Sequence, residues 1–352
     1  MDHQSLGGVV GNRLPNVPAS FFGIVLGLVG LGDCWRAAHL AWGTPDTIST
    51  GIMVVAGIVW LILLVLFAAK WAMRRTDAVI EARHPIQSCF LSLVGVSTLL
   101  MAYLFAGVSH TLGVVVFAVA AAGELAFGGW FTARLWRGGH EIETATPALY
   151  LPTVAANLVA AFTAAYLGYR TLAIFFFGAG ILSWLALESQ IGMRATFRTP
   201  LAGPLRPTLG ILIAPPVVAC EAYLFITGGT TGPRADVLTY GLIGYGLLVF
   251  LVLAMGCRWV LDQPFAASHW AFSFGVTSLA FDLILIHARG SGGFVGWLAV
   301  GGFAVANLLV VVLAIGTVVL LVQRRLIPGP PPSSSLDTAK HDSPHDVAAA
   351  DR

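Results

Sequence analysis

The chain has 352 residues, 57% of them hydrophobic and 10% charged, with a mean hydropathy of +0.84. A soluble domain carries about 25% charged residues, so this composition belongs to an integral membrane protein. A formal net charge of +2, spread along the chain, gives nucleic acid no basic patch to bind, and four cysteines isolated in apolar runs (Cys34, Cys89, Cys220, Cys257) suggest neither a metal site nor a disulfide framework.

Residues 1–19 are polar with Gly and Pro. The apolar run that follows is too long for a signal-peptide core and lacks an obvious cleavage site, so it counts as a span. A span needs roughly 20 apolar residues, and ten windows qualify: 20–42, 49–72, 85–108, 111–135, 147–168, 171–193, 205–228, 235–259, 265–288 and 295–323. Backbone polar groups in lipid must be satisfied internally, so each window is predicted to be a helix. Residues 20–325 then form one transmembrane domain. The tail from 326, rich in Pro, Ser and charge, is expected to be disordered.

Lys and Arg set the orientation. With a cytoplasmic N-terminus, fifteen lie in the two termini and the even-numbered loops. Four lie opposite: Arg36, Arg170, Arg234 and Arg289. Both termini are therefore expected in the cytoplasm, and a multi-pass place in the bacterial cytoplasmic membrane is the natural localisation.

Proline reveals a repeat. The even spans contain none, whereas every odd span has one at or near its start: Pro18, Pro85, Pro147 with Pro152, Pro207 with Pro215 and Pro216, and Pro264. Proline frees a carbonyl and bends the axis, which lipid tolerates only where neighbours or water satisfy the freed group. Five helical hairpins follow, with odd helices inside and even helices facing lipid. Gly23 and Gly27 on the first helix fit close packing.

Charge in lipid costs roughly 2.5–3.5 kcal/mol on insertion scales, so intramembrane acids are functional candidates. Glu124 and Glu188 lie on even spans and read as structural, bonded to a neighbouring helix or a loop arginine. Asp33, Glu221 and Asp282 fall in the outer halves of spans one, seven and nine. They suit an acidic outer vestibule or a protonatable coupling site; local pairing, Asp33 with Arg36 and Asp282 with His287 or Arg289, is the other reading. Asn157, Thr153 and Thr208 could bond carbonyls freed by proline or line a pore. In span nine, Phe274 is one large ring in a run of small residues, beside Gly275, near mid-depth: a packing knob or a plug. No Walker A loop, dinucleotide fingerprint, HExxH or GxSxG occurs, and the scattered His and Ser gather into no catalytic cluster, so no enzyme and no cofactor is expected.

Five stretches carry a resemblance: FFGIVLGL at 21–28, RHPIQSCF at 83–90, YLPTVAAN at 150–157, FFGAGILSWLALE at 176–188 and WAFSFGV at 270–276. They resemble the tellurite-resistance TehA proteins, which group with plant guard-cell slow anion channels and fungal malate and sulfite transporters, over about residues 15–325. The resemblance implies an all-α membrane fold of ten helices as five hairpins around a quasi-five-fold central pore, in a homotrimer. It implies small inorganic or carboxylate anions as partners and, through WAFSFG, Phe274 as the pore gate. Pro152, Asn157, Pro215 and Gly275 become pore-lining or kink candidates. The sequence departs from the family at Ser189, where Leu187-Glu188-Ser189 replaces LEP, and at the three outer-half acids, which an anion pore would not be expected to hold. A proton-coupled carrier or exporter of C4-dicarboxylates, sulfite or tellurite is the alternative.

Overall fold

The computed structural model describes residues 16–326; the rest of the expected cytoplasmic N-terminal segment, and the tail from 327, lie outside the described residues. Among the described residues ten helices are long and apolar enough to cross a membrane: α1 (Ala19–Trp42), α2 (Asp46–Met73), α3 (Gln87–Ala106), α4 (His110–Leu135), α5 (Pro147–Tyr166), α6 (Arg170–Phe197), α7 (Gly203–Ile226), α8 (Val237–Met255), α9 (Ala267–Ala288) and α10 (Phe294–Val322).

The proline pattern has a structural counterpart in each odd helix. Every one opens in a non-α winding: 3₁₀ turns over Ala19–Phe22, Gln87–Leu91, Gly203–Ile213 and Ala267–Phe272, and in α5 a 3₁₀ turn over Pro147–Tyr150 followed by a π segment over Leu151–Ala155. The even helices are α-helical throughout. Runs of 3₁₀ beyond three or four residues are uncommon and mark strain or a hinge, so the eleven residues of Gly203–Ile213 stand out. Pro207 within that run has no N–H to continue an α-helical ladder.

Packing places the two sets as the sequence predicts. In the apolar windows of the odd helices 61–72% of residues are buried, against 17–33% in the even helices. Neighbouring odd helices touch in order, α1 on α3, α3 on α5, α5 on α7 and α7 on α9, and α9 closes the ring on α1. Each even helix packs on the odd helix before it and on the odd helix after it, α10 reaching back to α1. One hairpin arrangement is thus repeated five times about an axis.

The α1–α9 seam is the tightest joint on that ring. A Cβ at Gly27 would fall 2.3 Å from Ser273 Oγ, and one at Gly30 would fall 2.1 Å from Thr277 Oγ1 and 3.6 Å from Phe274 Cδ2. Small residues here let two backbones approach, as the spacing of Gly23 and Gly27 suggests.

The even-span acids are bonded to neighbouring helices, as expected. Glu124 on α4 accepts from Ser92 Oγ on α3 at 2.6 Å, and Gly95 leaves the room its carboxyl occupies. Glu188 on α6 accepts from Tyr150 of α5, from Trp184 at 2.8 Å and from Tyr245 of α8 at 2.8 Å. A further clamp was not foreseen. The connection after α2 folds as a short helix, Arg75–Arg83, whose Glu81 accepts from Lys70 Nζ at 2.6 Å and from the Ala19 amide at 2.9 Å. It satisfies one of the unpaired amides that open α1.

Asp236, just ahead of α8, accepts from the Thr239 amide at 2.9 Å and from the Tyr223 hydroxyl at 2.5 Å. The Tyr223 bond, aided by the Thr239 amide, holds its carboxyl below the usual range. A depressed folded-state pKa contributes stability above the unfolded value, lost as pH falls through the folded one. Asp236→Ala is therefore expected to lower the thermal midpoint by a few degrees at pH 7, the loss of an N-cap costing about 1 kcal/mol. The difference from wild type should shrink below about pH 4, near the ordinary Asp value. Unfolding in detergent across pH 3–8 checks this.

Candidate functional site

Two cavities lie on the ring axis, one toward each end of the odd helices. The first, about 120 Å³, sits among their N-terminal halves. All five odd helices line it and no even helix does. Its lining holds no charged side chain; the polar side chains in it are Ser20, Gln87, Tyr150, Thr208, Ser268 and the indole of Trp270, near the starts of the helices. The last lining residue on each helix is Leu26, Leu93, Leu158, Val218 and Phe274 in turn. Five large apolar side chains, one per hairpin, thus close the cavity's far wall, and Phe274 is the one aromatic ring among them. Phe274 is half-buried, and Gly30 stands beside it, where a Cβ would lie in ordinary contact at 3.6 Å from the ring.

The second cavity, about 210 Å³, opens at the C-terminal ends of the same helices. Arg36, Tyr103, Tyr166, Phe225 and Phe281 bring one side chain from each of α1, α3, α5, α7 and α9. Past Tyr166, Phe225 and Thr230 it adjoins a groove of about 430 Å³ that carries Arg170. Below its floor the aromatic rings form one contiguous cluster, with Tyr103–Phe162 at 5.0 Å, Phe162–Phe225 at 4.7 Å and Phe225–Phe281 stacked at 6.3 Å.

Asp33, Glu221 and Asp282 are all buried, and none lines the second cavity. The charged and aromatic side chains that do line it are Arg36, Tyr103, Tyr166, Phe225 and Phe281. Asp33 accepts from Tyr103 Oη at 2.8 Å and lies 3.8 Å from Arg36 Nη1, while Arg36 also donates to Tyr103. The local pairing of Asp33 is therefore present, with a tyrosine inserted. That of Asp282 is not. Arg289 turns its guanidinium to the Leu224 carbonyl at 3.0 Å and to that of Gly229, and His287 faces the Ser291 carbonyl at 3.0 Å. Asp282 is fully buried, and the polar side chain beside its carboxyl is the Cys220 thiol rather than a cation. On α1, the Cys34 thiol bonds the Thr277 carbonyl of α9 at 3.1 Å.

The remaining candidates divide. Pro215 lines the first cavity; Pro152 and Asn157 do not. Asn157 Nδ2 bonds the Thr153 carbonyl at 2.6 Å, and the Pro152 carbonyl packs where Gly128 has no side chain. Thr208 both lines the cavity and bonds the Leu205 carbonyl at 2.6 Å, so its two readings coexist. Gly275 faces away from the cavity: a Cβ there would meet Ile213 Cβ at 2.8 Å, so it serves α7–α9 packing. Sequence reasoning missed Tyr150 and Arg36 as lining residues. Arg36 had the available signal, a cation at the C-terminal end of an odd helix.

A family model described as voltage-dependent anion channel, SLAC1, matches residues 16–318, from the start of α1 into α10. The chain belongs to the SLAC1 family. Proteins it is similar to include a tellurite resistance protein TehA homolog from Haemophilus influenzae, 31% identical over 265 residues, which cover 75% of this chain and 79% of that protein. An S-type anion channel, SLAH3, of Arabidopsis thaliana is 25% identical over 335 residues, 88% of this chain and 49% of the plant protein. An uncharacterized transporter of Methanocaldococcus jannaschii is 23% identical over 282 residues, 74% of this chain and 81% of that one. The SLAC1 assignment makes this chain a multi-pass membrane protein of an anion channel and transporter family, and it agrees with the resemblance read from YLPTVAAN and WAFSFGV.

Proposed function

We propose that small anions cross the membrane along the axis of the odd-helix ring and that Phe274 gates the path. One observation carries the reading: a cavity bounded by all five odd helices, with no charged lining, ends on a wall of one large apolar side chain per hairpin. An anion must shed hydration to pass such a neck, and a ring across it excludes the water that would help. The absence of a lining cation suits passage rather than retention. Lys and Arg asymmetry supports cytoplasmic termini in a bacterial inner membrane, so the cavity opens inward. The apolar outer faces of α2 and α10, with Leu61, Val65 and Leu308 more than half exposed, suit lipid and contact between protomers of a trimer. Because a relative is a TehA homolog, tellurite joins the substrates to be tried.

The test is flux in liposomes with chloride, nitrate, malate, sulfite and tellurite, with and without a pH gradient. Flux of at least one small anion, independent of the gradient, is the expected result; no flux of any of them would overturn the reading.

A second reading, proton-coupled transport of C4-dicarboxylates, sulfite or tellurite, is favoured by one observation. Asp282 is a fully buried carboxyl that neither His287 nor Arg289 pairs, and such a group within a membrane is the usual seat of a proton relay. If coupling occurs, flux rises with an inward proton gradient and Asp282→Asn removes that rise. A gradient response unchanged in Asp282→Asn would exclude this residue as the coupling site.

A further inference from the structure

Anions leaving or entering at the far end of the axis meet the second cavity, and its donors are arranged as if to receive them. Arg36 is the one charged side chain in the lining. Its guanidinium has five N–H donors; one bond, from Nη1 to the Tyr103 hydroxyl, is made among the described residues, and the side chain is 39% exposed. Tyr166 and Thr230 line the same space, and their hydroxyls make no hydrogen bond among the described residues. The edges of aromatic rings carry positive partial charge, and Phe225 and Phe281 complete the wall. Arg170 stands in the adjoining groove beyond Tyr166 and Thr230. No carboxylate lines either space.

The one acid nearby, Asp33, does not compete for the cavity. It is buried behind Tyr103 and takes that residue's hydroxyl proton as a hydrogen bond. Its effect is to fix Arg36 and to weaken its field, since the carboxyl oxygen lies 3.8 Å from Nη1. A fixed, partly compensated cation with free donors is a weak anion site. Weak is what conduction requires, because an ion must be able to leave.

We propose that this cavity binds one small monovalent anion, halide or oxyanion, through the Arg36 guanidinium and the Tyr166 and Thr230 hydroxyls, and so concentrates substrate at the mouth opposite Phe274. The proposal rests on the reading that the axis carries anions, but its central test needs no conduction. Purified full-length protein in detergent is titrated with sodium nitrate replacing sodium gluconate at constant ionic strength, and its thermal midpoint is followed. Wild type should be stabilised saturably, with half-saturation in the millimolar range typical of weak sites. Arg36→Gln should raise the half-saturating nitrate concentration at least tenfold. That variant also disturbs Asp33, so a second, Tyr166→Phe with Thr230→Val, leaves the Arg36–Tyr103–Asp33 chain in place. It should raise the value about thirtyfold, two hydrogen bonds to a charged group being lost at roughly 1 kcal/mol each. Unchanged half-saturation in the double variant, or no saturable stabilisation of wild type, overturns the site. If nitrate binding depends on these residues while Phe274→Ala conducts no better than wild type, the mouth stands and the gate falls. If Phe274→Ala conducts but nitrate binding is indifferent to both variants, the reverse holds.

Discussion

Phe274→Ala is expected to raise anion conductance in planar bilayers by roughly a hundredfold, which corresponds to removing only about 3 kcal/mol of barrier. The far wall of the inner cavity consists of Leu26, Leu93, Leu158, Val218 and Phe274. Trimming Phe274 leaves four branched aliphatic side chains around a gap, and Gly30, beside the ring, cannot fill it. A collapse of the helices into the gap is resisted by the α1–α9 seam, already at contact through Gly27, Ser273, Gly30 and Thr277. Water can then enter from the inner cavity, and a hydrated anion no longer faces a dry neck. Phe274→Leu should give a smaller rise, since it keeps bulk but loses the flat ring. Recordings in which Phe274→Ala matches wild type would place the barrier elsewhere, and the aromatic cluster of Phe162, Phe225 and Phe281 would be the next place to look.

The inner and outer helices could be told apart in the sequence because proline acts locally. A missing N–H alters winding wherever it occurs, and the odd helices show this as 3₁₀ and π segments at their starts. The closing contact of α9 on α1 links residues some 250 positions apart, and no local rule places it. Asp282 and Arg289 show why local pairing is a weak guide. They are seven residues apart, Arg289 standing just past the end of α9, yet the guanidinium is spent on carbonyls at the end of α7 and in the loop beyond it. The acids could be assigned to the C-terminal halves of their helices from sequence, but whether they lined a cavity there depended on which way three separate helices were turned. Tyr103, placed between Asp33 and Arg36, came from a fourth stretch of chain 67 residues from Arg36.

The second large effect is expected at Gly27. In Gly27→Ala the new methyl would lie 2.3 Å from Ser273 Oγ, 2.6 Å from Ser273 Cβ and 2.9 Å from Trp270 Cε3. None of these can withdraw freely. Ser273 is wholly buried with its hydroxyl bonded to the Trp270 carbonyl at 2.6 Å, and the Trp270 indole N–H is held by Thr317 Oγ1 at 2.8 Å. The methyl therefore forces α1 and α9 apart. Overpacking of this kind costs typically 1–3 kcal/mol, and a closed ring of helices has no free edge through which to relax. The thermal midpoint in detergent should fall by at least several degrees. Adding Ser273→Gly removes the two closest clashes and should restore most of the loss, whereas Ser273→Gly alone should destabilise by opening a small void. The same displacement carries Phe274 with it, one residue along α9, so Gly27→Ala should also leak anions where the rescued double variant does not. A destabilisation that Ser273→Gly fails to relieve would mean that the seam is not the joint that holds the ring, and that the position of the gate is set by some other pair of helices.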